Sequence, residues 1–225
     1  MIIGGLQKSS LLDYPDKISA IIFTSGCNFR CGYCHNPELV NSRKHIYKPN
    51  DILEFLKTRI GKLDAVVITG GEPCLNNDLS DFIQEIKNLG FLVKLDTNGF
   101  NPDMLEKVMP FIDYIAMDIK APLDKYEKIT NVKIDTAKIK ESISLIMSSH
   151  MDYEFRTTVV KSLLSYDDFI RIGDLINGAR RYYLQKFIPS KTLDKSFMSE
   201  ASYTDAEFQE IISYLRKKIH LVEYR

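Results

Sequence analysis

The chain lacks a surplus of either charge, a long apolar run and any abundance of cysteine. Its 30 Lys and Arg are matched by 30 Asp and Glu. That balance argues against a dedicated nucleic-acid binder, which carries a basic surplus. No stretch approaches the roughly 18 consecutive apolar residues of a membrane span, so no membrane association is expected. The opening Met1-Ile2-Ile3-Gly4-Gly5 has neither the basic flank nor the apolar centre of a secretory leader, and a cytoplasmic protein is the expectation. Low-complexity segments, Gly/Ser linkers and charge blocks are also missing. The 225 residues therefore read as one domain, with 1–17 as an N-terminal extension and 18–220 as repeating units. A chain of this length buries enough surface to fold without staples. Its 4 cysteines then read as metal or catalytic ligands rather than disulfides.

What is present is alternation. Short apolar runs at Ile18–Phe23, Ala65–Thr69, Phe91–Leu95, Tyr114–Ile119, Tyr153–Val160 and Arg181–Ile188 read as strands. Between them lie amphipathic segments with helical spacing. One runs from Asp51 to Ile60 with Asn50 as candidate N-cap. Another carries Leu79, Phe82, Ile83, Ile86 and Leu89 and is stopped by Gly90. Thr204 and Glu207 form a capping-box signature ahead of Phe208, Ile211, Ile212 and Leu215. Leu221–Arg225 is a candidate last strand. Six βα units predict a parallel sheet with helices outside. A closed eightfold barrel takes about 250 residues, so the expected fold is an α/β, incomplete (β/α)6 TIM-like barrel, open on one side. An open doubly wound sheet is the alternative.

In either architecture ligands bind at the carboxyl ends of the strands. The unusual residues fall there four times in succession. Cys27, Cys31 and Cys34 follow the first strand, Gly70-Gly71-Glu72-Pro73 the second and Asp96-Thr97-Asn98-Gly99 the third. Asp118-Ile119-Lys120 ends the fourth. The cysteines are spaced C-x3-C-x2-C with no fourth nearby. Iron–sulfur cubanes usually take four thiolates, so three leave one iron open to a small molecule. A structural zinc site with His35 or Cys74 as fourth ligand is the alternative. Taken singly, Gly-Gly-Glu-Pro is an ordinary turn, and the Asp-containing segments are helix caps or surface charges. Arg156, inside the fifth strand, needs a partner or an interior position. Gln185 on the sixth strand is a further candidate. Cys74 reads as a buried thiol without a role, and His45, His150 and His220 have no motif context.

The cysteine segment, with Tyr33 before its third cysteine, resembles the radical S-adenosylmethionine superfamily. The resemblance implies a [4Fe-4S] cluster on Cys27, Cys31 and Cys34. S-adenosyl-L-methionine would chelate the open iron and be cleaved reductively to a 5′-deoxyadenosyl radical. It implies that Gly70, Gly71 and Glu72 hold the methionyl amino group, with Asn36, Asn98, Lys120 and Arg156 near the cofactor. Asp-Thr-Asn-Gly after strand three and Asp-x-Lys at strand four are similar to glycyl-radical-enzyme activases. That likeness implies a monovalent cation, Na+ or K+, held by Asp96, Thr97 and Asp118. The stretches Gly4–Pro15 and Ile22–Leu39 look like the anaerobic ribonucleoside-triphosphate reductase activating proteins, relatives of the pyruvate formate-lyase activating enzyme. By that likeness the substrate is a glycine of a partner glycyl radical enzyme, an anaerobic ribonucleotide reductase, and flavodoxin or ferredoxin donates the electron. A deazapurine-forming synthase acting on a small molecule remains the alternative enzyme.

Overall fold

The computed structural model describes residues 1–42 and 46–225; His45 lies outside the described residues. One sheet of eight strands runs through the chain in sequence order. The strands are β1 (Ile3–Ser10), β2 (Ser19–Thr24), β3 (Ala65–Gly70), β4 (Leu92–Thr97), β5 (Tyr114–Asp118), β6 (Asp152–Val159), β7 (Arg181–Lys186) and β8 (Leu221–Tyr224). From β2 to β8 every neighbouring pair is parallel. β1 and β8 are the two edges, so the sheet curls without closing. This is the open βα barrel expected from the repeats, with two additions. Leu221–Tyr224 does form a strand. The segment read as an extension before the repeats is also a strand, pairing antiparallel with β2 from Ile3↔Thr24 to Ser10↔Ser19. Its Gly-rich, half-polar sequence gives little strand signal, and only pairing with β2 fixes it as one.

The helices are α1 (Pro37–Val40), α2 (Pro49–Lys57), α3 (Leu79–Asn88), α4 (Pro102–Val108), α5 (Tyr126–Thr130), α6 (Thr136–Ser148), α7 (Tyr166–Leu175) and α8 (Asp205–Leu215). Helix α3 buries Leu79, Phe82, Ile83 and Ile86, each contributing about 1.5–3 kcal/mol of burial. Gly90 then takes φ +89°, which only glycine adopts without strain. The Thr204 capping box is present: Thr204 N–H donates to Glu207 Oε2 at 2.8 Å, and Glu207 N–H to Thr204 Oγ1 at 3.3 Å. Helix α2 begins earlier than expected. Asn50 lies inside it and Lys48 is its N-cap, because Pro49 supplies the preset φ of a first helical residue.

Strand alternation gives the sheet two faces. The outer face meets the helices and forms the main core, including Ile22, Ile68, Leu95, Ile115 and Phe155. The inner face splits along its length. Near the amino ends, Ile21, Ala65, Val67 and Tyr114 close over Tyr14 from the β1–β2 connection. Near the carboxyl ends the inner residues turn polar and charged, and there a cleft opens.

Candidate active site

The cleft has a volume of about 240 Å³ and is lined from every parallel strand between β2 and β7. Cys27, Cys31 and Cys34 all face it. Gly70, Gly71, Glu72, Asp96, Thr97, Asn98, Asp118, Lys120, Arg156 and Gln185 do so as well, with Tyr33, His35 and Asn36. The motifs scattered over 159 positions of sequence thus share one rim, as the βα register requires.

The glycine pair is explained by its packing. A Cβ on Gly71 would stand 2.0 Å from Gly26 O, and one on Gly70 would stand 2.5 Å from Thr24 N. Gly70 also takes φ +113°. The turn after β3 therefore lies directly on the backbone that leads into the cysteine loop. Glu72 N–H donates to Gly26 O at 2.8 Å and completes that contact.

The Glu72 carboxylate is buried and faces three protein donors. Its Oε1 accepts from Cys74 N–H at 3.0 Å and Thr97 Oγ1–H at 2.7 Å, and its Oε2 from Asn98 N–H at 2.6 Å. Burial pushes its pKa up, while these hydrogen bonds pull it back. Asn98 continues the chain of contacts, its Nδ2 donating to Asn28 Oδ1 at 2.8 Å in the cysteine loop. Glu72, expected from its motif to hold the cofactor's amino group, joins the turns after β3 and β4.

The cysteine loop is held from other directions too. Arg30 N–H donates to Thr130 O at 2.7 Å, and Asp194 N–H to Gly32 O at 2.9 Å. The Phe197 ring meets Tyr33 edge-on at 6.2 Å. It also fills the space over Gly32, where a Cβ would come within 2.3 Å of it. These clamps come from residues about 100 and 160 positions away, and nothing in their sequence marks them. Burial pushes the Cys27 thiol up to about 12 and raises that of Cys31. Such thiols become thiolates only when a metal's charge replaces their protons.

The far wall of the cleft is a chain of charges across β4, β5 and β6. Lys94 Nζ stands 2.9 Å from Asp96 Oδ1, and Arg156 Nη1 3.1 Å from Asp96 Oδ2. Arg156 Nε lies 2.9 Å from Asp118 Oδ1, and Lys120 Nζ 2.9 Å from Asp118 Oδ2. Burial raises both carboxylates, but the neighbouring cations outweigh it, holding Asp96 below its ordinary range and Asp118 at about 2. Arg156 is therefore not paired with a surface carboxylate; it joins the two motif aspartates inside the barrel. Lys94 belongs to no sequence motif, although the argument applied to Arg156 applies equally to a lysine between Val93 and Leu95.

By number and type the donors suit a cubane with three protein ligands, although among the described residues no three Cys, His, Asp or Glu side chains stand already grouped as a metal site. Three thiols from one loop reach the cleft, and Cys74, buried outside it, packs its Sγ 3.6 Å from Thr97 Oγ1. Cys74 is therefore no fourth ligand. His35 stacks on Phe187 with centroids 5.4 Å apart. Of the two fourth donors the zinc alternative named, Cys74 lies outside the cleft and His35 lines it against Phe187.

Comparison with known proteins gives the family of the chain. The model of the radical SAM superfamily matches residues 21–176. A Methanocaldococcus jannaschii protein, provisionally assigned as a glycyl-radical enzyme activating enzyme, is 32% identical over 231 residues, covering 100% of this chain and 95% of its own. The pyruvate formate-lyase-activating enzyme of Clostridium pasteurianum is 25% identical, with coverage of 85% and 82%. Among solved structures, Streptococcus suis SuiB bound to S-adenosylmethionine superposes with a TM-score of 0.70 at 15% identity, over 91% of this chain and 49% of that one. The chain belongs to the radical SAM superfamily and, within it, to the family of glycyl-radical enzyme activating enzymes. It is a radical SAM enzyme, and the family's cofactors are a [4Fe-4S] cluster and S-adenosylmethionine. No helix among the described residues is long and apolar enough to cross a membrane.

Proposed function

We propose that the chain activates a glycyl radical enzyme by removing a hydrogen atom from one of its backbone glycines, and that the partner is an anaerobic ribonucleotide reductase. The observation that carries this reading is the shared cleft: three thiols on one wall and Asp96 and Asp118 paired with Arg156 and Lys120 on the other. Cys27, Cys31 and Cys34 would hold the cluster, and Tyr33 and Asn36 flank it. Gly70 and Gly71, packed on the backbone that leads into the cysteine loop, would lie beside the cofactor's amino group. Arg156 and Lys120 would face the carboxylate end, where a cationic donor suits an anion. Asn98 keeps its turn against the cysteine loop. When bound, the cluster and S-adenosylmethionine would supply one-electron, hydrogen-abstracting chemistry. The protein's own part is to hold the ends of the cofactor and exclude competing partners. An unclosed barrel leaves room for a loop of another protein. Flavodoxin or ferredoxin would donate the electron, and the cytoplasm would be the site of action.

The test is anaerobic reconstitution with iron and sulfide, reduction, and addition of S-adenosylmethionine with a candidate reductase. The expected result is 5′-deoxyadenosine together with a glycyl radical signal on the reductase, both lost in Cys31→Ala. Deoxyadenosine without a radical on any reductase offered would overturn the partner assignment. A fully loaded, reducible cluster that gives no deoxyadenosine would overturn the reaction.

A further inference from the structure

Tyr33 carries a hydroxyl that the chain buries and leaves unsatisfied. The residue is 5% exposed, and its Oη has no formed hydrogen bond among the described residues. Buried polar groups are nearly always paired, so an exception calls for a reason, and a redox role is one of them. The Cys31 thiol is within reach of the hydroxyl, short of a well-formed bond, and Lys120 and Asp118 are its charged neighbours. Those two are already committed. Lys120 Nζ donates to Asp118 Oδ2 at 2.9 Å, and Arg156 Nε donates to Asp118 Oδ1 at 2.9 Å. Lys120 is itself a donor and offers the hydroxyl hydrogen nothing. A thiol is a poor acceptor and a metal-bound thiolate a good one. The acceptor that Tyr33 lacks is therefore the one Cys31 becomes as a cluster ligand. The ring is held in place for that contact. Phe197 meets it edge-on with centroids 6.2 Å apart, and Cys34 N–H donates to Cys31 O at 3.1 Å, which sets Tyr33 inside a tight turn between two of the three cysteines.

We propose that the Tyr33 hydroxyl donates to the Cys31 sulfur of the bound cluster and makes the cluster's one-electron reduction easier. The electron comes from an external low-potential reductant and adds negative charge to the cluster and its sulfurs, and no bond to the chain breaks. A donor at a ligand sulfur stabilises the more negative state more, so it raises the potential. The loop already holds one such contact, because Cys27 Sγ accepts from Phe29 N–H at 3.4 Å. That donor is backbone, which any residue but proline would supply at position 29. The donor at position 33 is a side chain, and Tyr33→Phe keeps the ring and its packing on Phe197 while removing the hydrogen bond alone. The family resemblance asks only for an aromatic ring before the third cysteine; the hydroxyl is this chain's addition to it.

The inference rests on the reading of Cys27, Cys31 and Cys34 as cluster ligands, and the experiment separates the two. The full chain is reconstituted anaerobically with iron and sulfide. The midpoint potential of its cluster is read by redox titration with electron paramagnetic resonance, without S-adenosylmethionine, so that no contact between the hydroxyl and that molecule enters the result. Tyr33→Phe is expected to hold wild-type iron, with an equilibrium constant for reduction lower by about threefold or more, tenfold being ~59 mV downward for a one-electron couple. 3-Fluorotyrosine at position 33, a stronger donor of nearly the same size, is expected to move the potential upward. A loaded Tyr33→Phe cluster whose constant falls by less than about threefold, or rises, overturns the inference and leaves the cluster ligands standing. A wild type that binds no cluster overturns both. Should Tyr33→Phe fail to hold a cluster, the fluorotyrosine protein decides alone, and a potential at or below that of the wild type overturns the inference.

Discussion

Replacing Glu72 with Gln separates two roles for the most buried acid of the cleft. The carboxylate accepts from Cys74 N–H, Thr97 Oγ1–H and Asn98 N–H, with the Cys74 thiol also beside it. An amide keeps one oxygen and places an NH2 where the other oxygen stood. With its oxygen at the Oε1 position it still serves Cys74 and Thr97, and its NH2 then faces Asn98 N–H, donor against donor. Losing a hydrogen bond to a charged acceptor costs about 1.5–3 kcal/mol, and stranding a buried N–H costs a further ~1–3 kcal/mol. Removing a buried charge returns part of this, because burial disfavours the ionised form. The expected net loss is about 2 kcal/mol. It is read by urea unfolding of the cluster-free protein in anaerobic reducing buffer at neutral pH, with the slope unchanged. If Glu72 served only to hold the cofactor's amino group, the variant would unfold with the wild type and differ only in S-adenosylmethionine affinity. A difference below about 0.5 kcal/mol, the scatter of ordinary surface substitutions, would refute a structural role for its three hydrogen bonds.

Two other perturbations test the packing and the charges. Gly71→Ala drives a methyl into Gly26 O, which a Cβ would approach to 2.0 Å. The expected result is about 1–3 kcal/mol of overpacking and fewer irons retained per chain after desalting, whereas wild-type iron content would mean the turn does not fix the cysteine loop. Asp118, ordinarily near 3.8, is held at about 2 in the folded chain, so it stabilises the fold fully above about pH 4 and loses that contribution as pH falls toward 2. Its contribution is about 2 kcal/mol, so the stability gap between wild type and Asp118→Asn should shrink by that amount between pH 6 and pH 2. A gap independent of pH would remove Asp118 from the charge network.

Much of this was legible along the chain because it is local. Three thiols within eight residues, the Thr204 and Glu207 box, the 3.6-residue spacing of Leu79 to Ile86 and the glycine stop at Gly90 each depend on neighbours a few positions away. The βα alternation carries the sheet order with it, since parallel strands require crossovers, and the carboxyl-end rule then gathers the motifs. Boundaries were less secure. Pro49 started α2 ahead of the expected cap, and β1 could be recognised only once β2 offered it an edge.

The sequence by itself determined the chemistry of the cleft, because ligand spacing and strand-end motifs are one-dimensional patterns. Only the tertiary structure decided which charged groups meet. Lys94, Asp96, Asp118, Lys120 and Arg156 come from three strands, and whether Asp96 faces a metal ion, a solvent ion or an ammonium depends on register and on the inward pleat of β4. The same holds for Phe197 over Gly32 and Asn98 against Asn28: contacts between distant segments leave no periodicity in either, and the energy that fixes them exists only when the barrel has curled to bring them together.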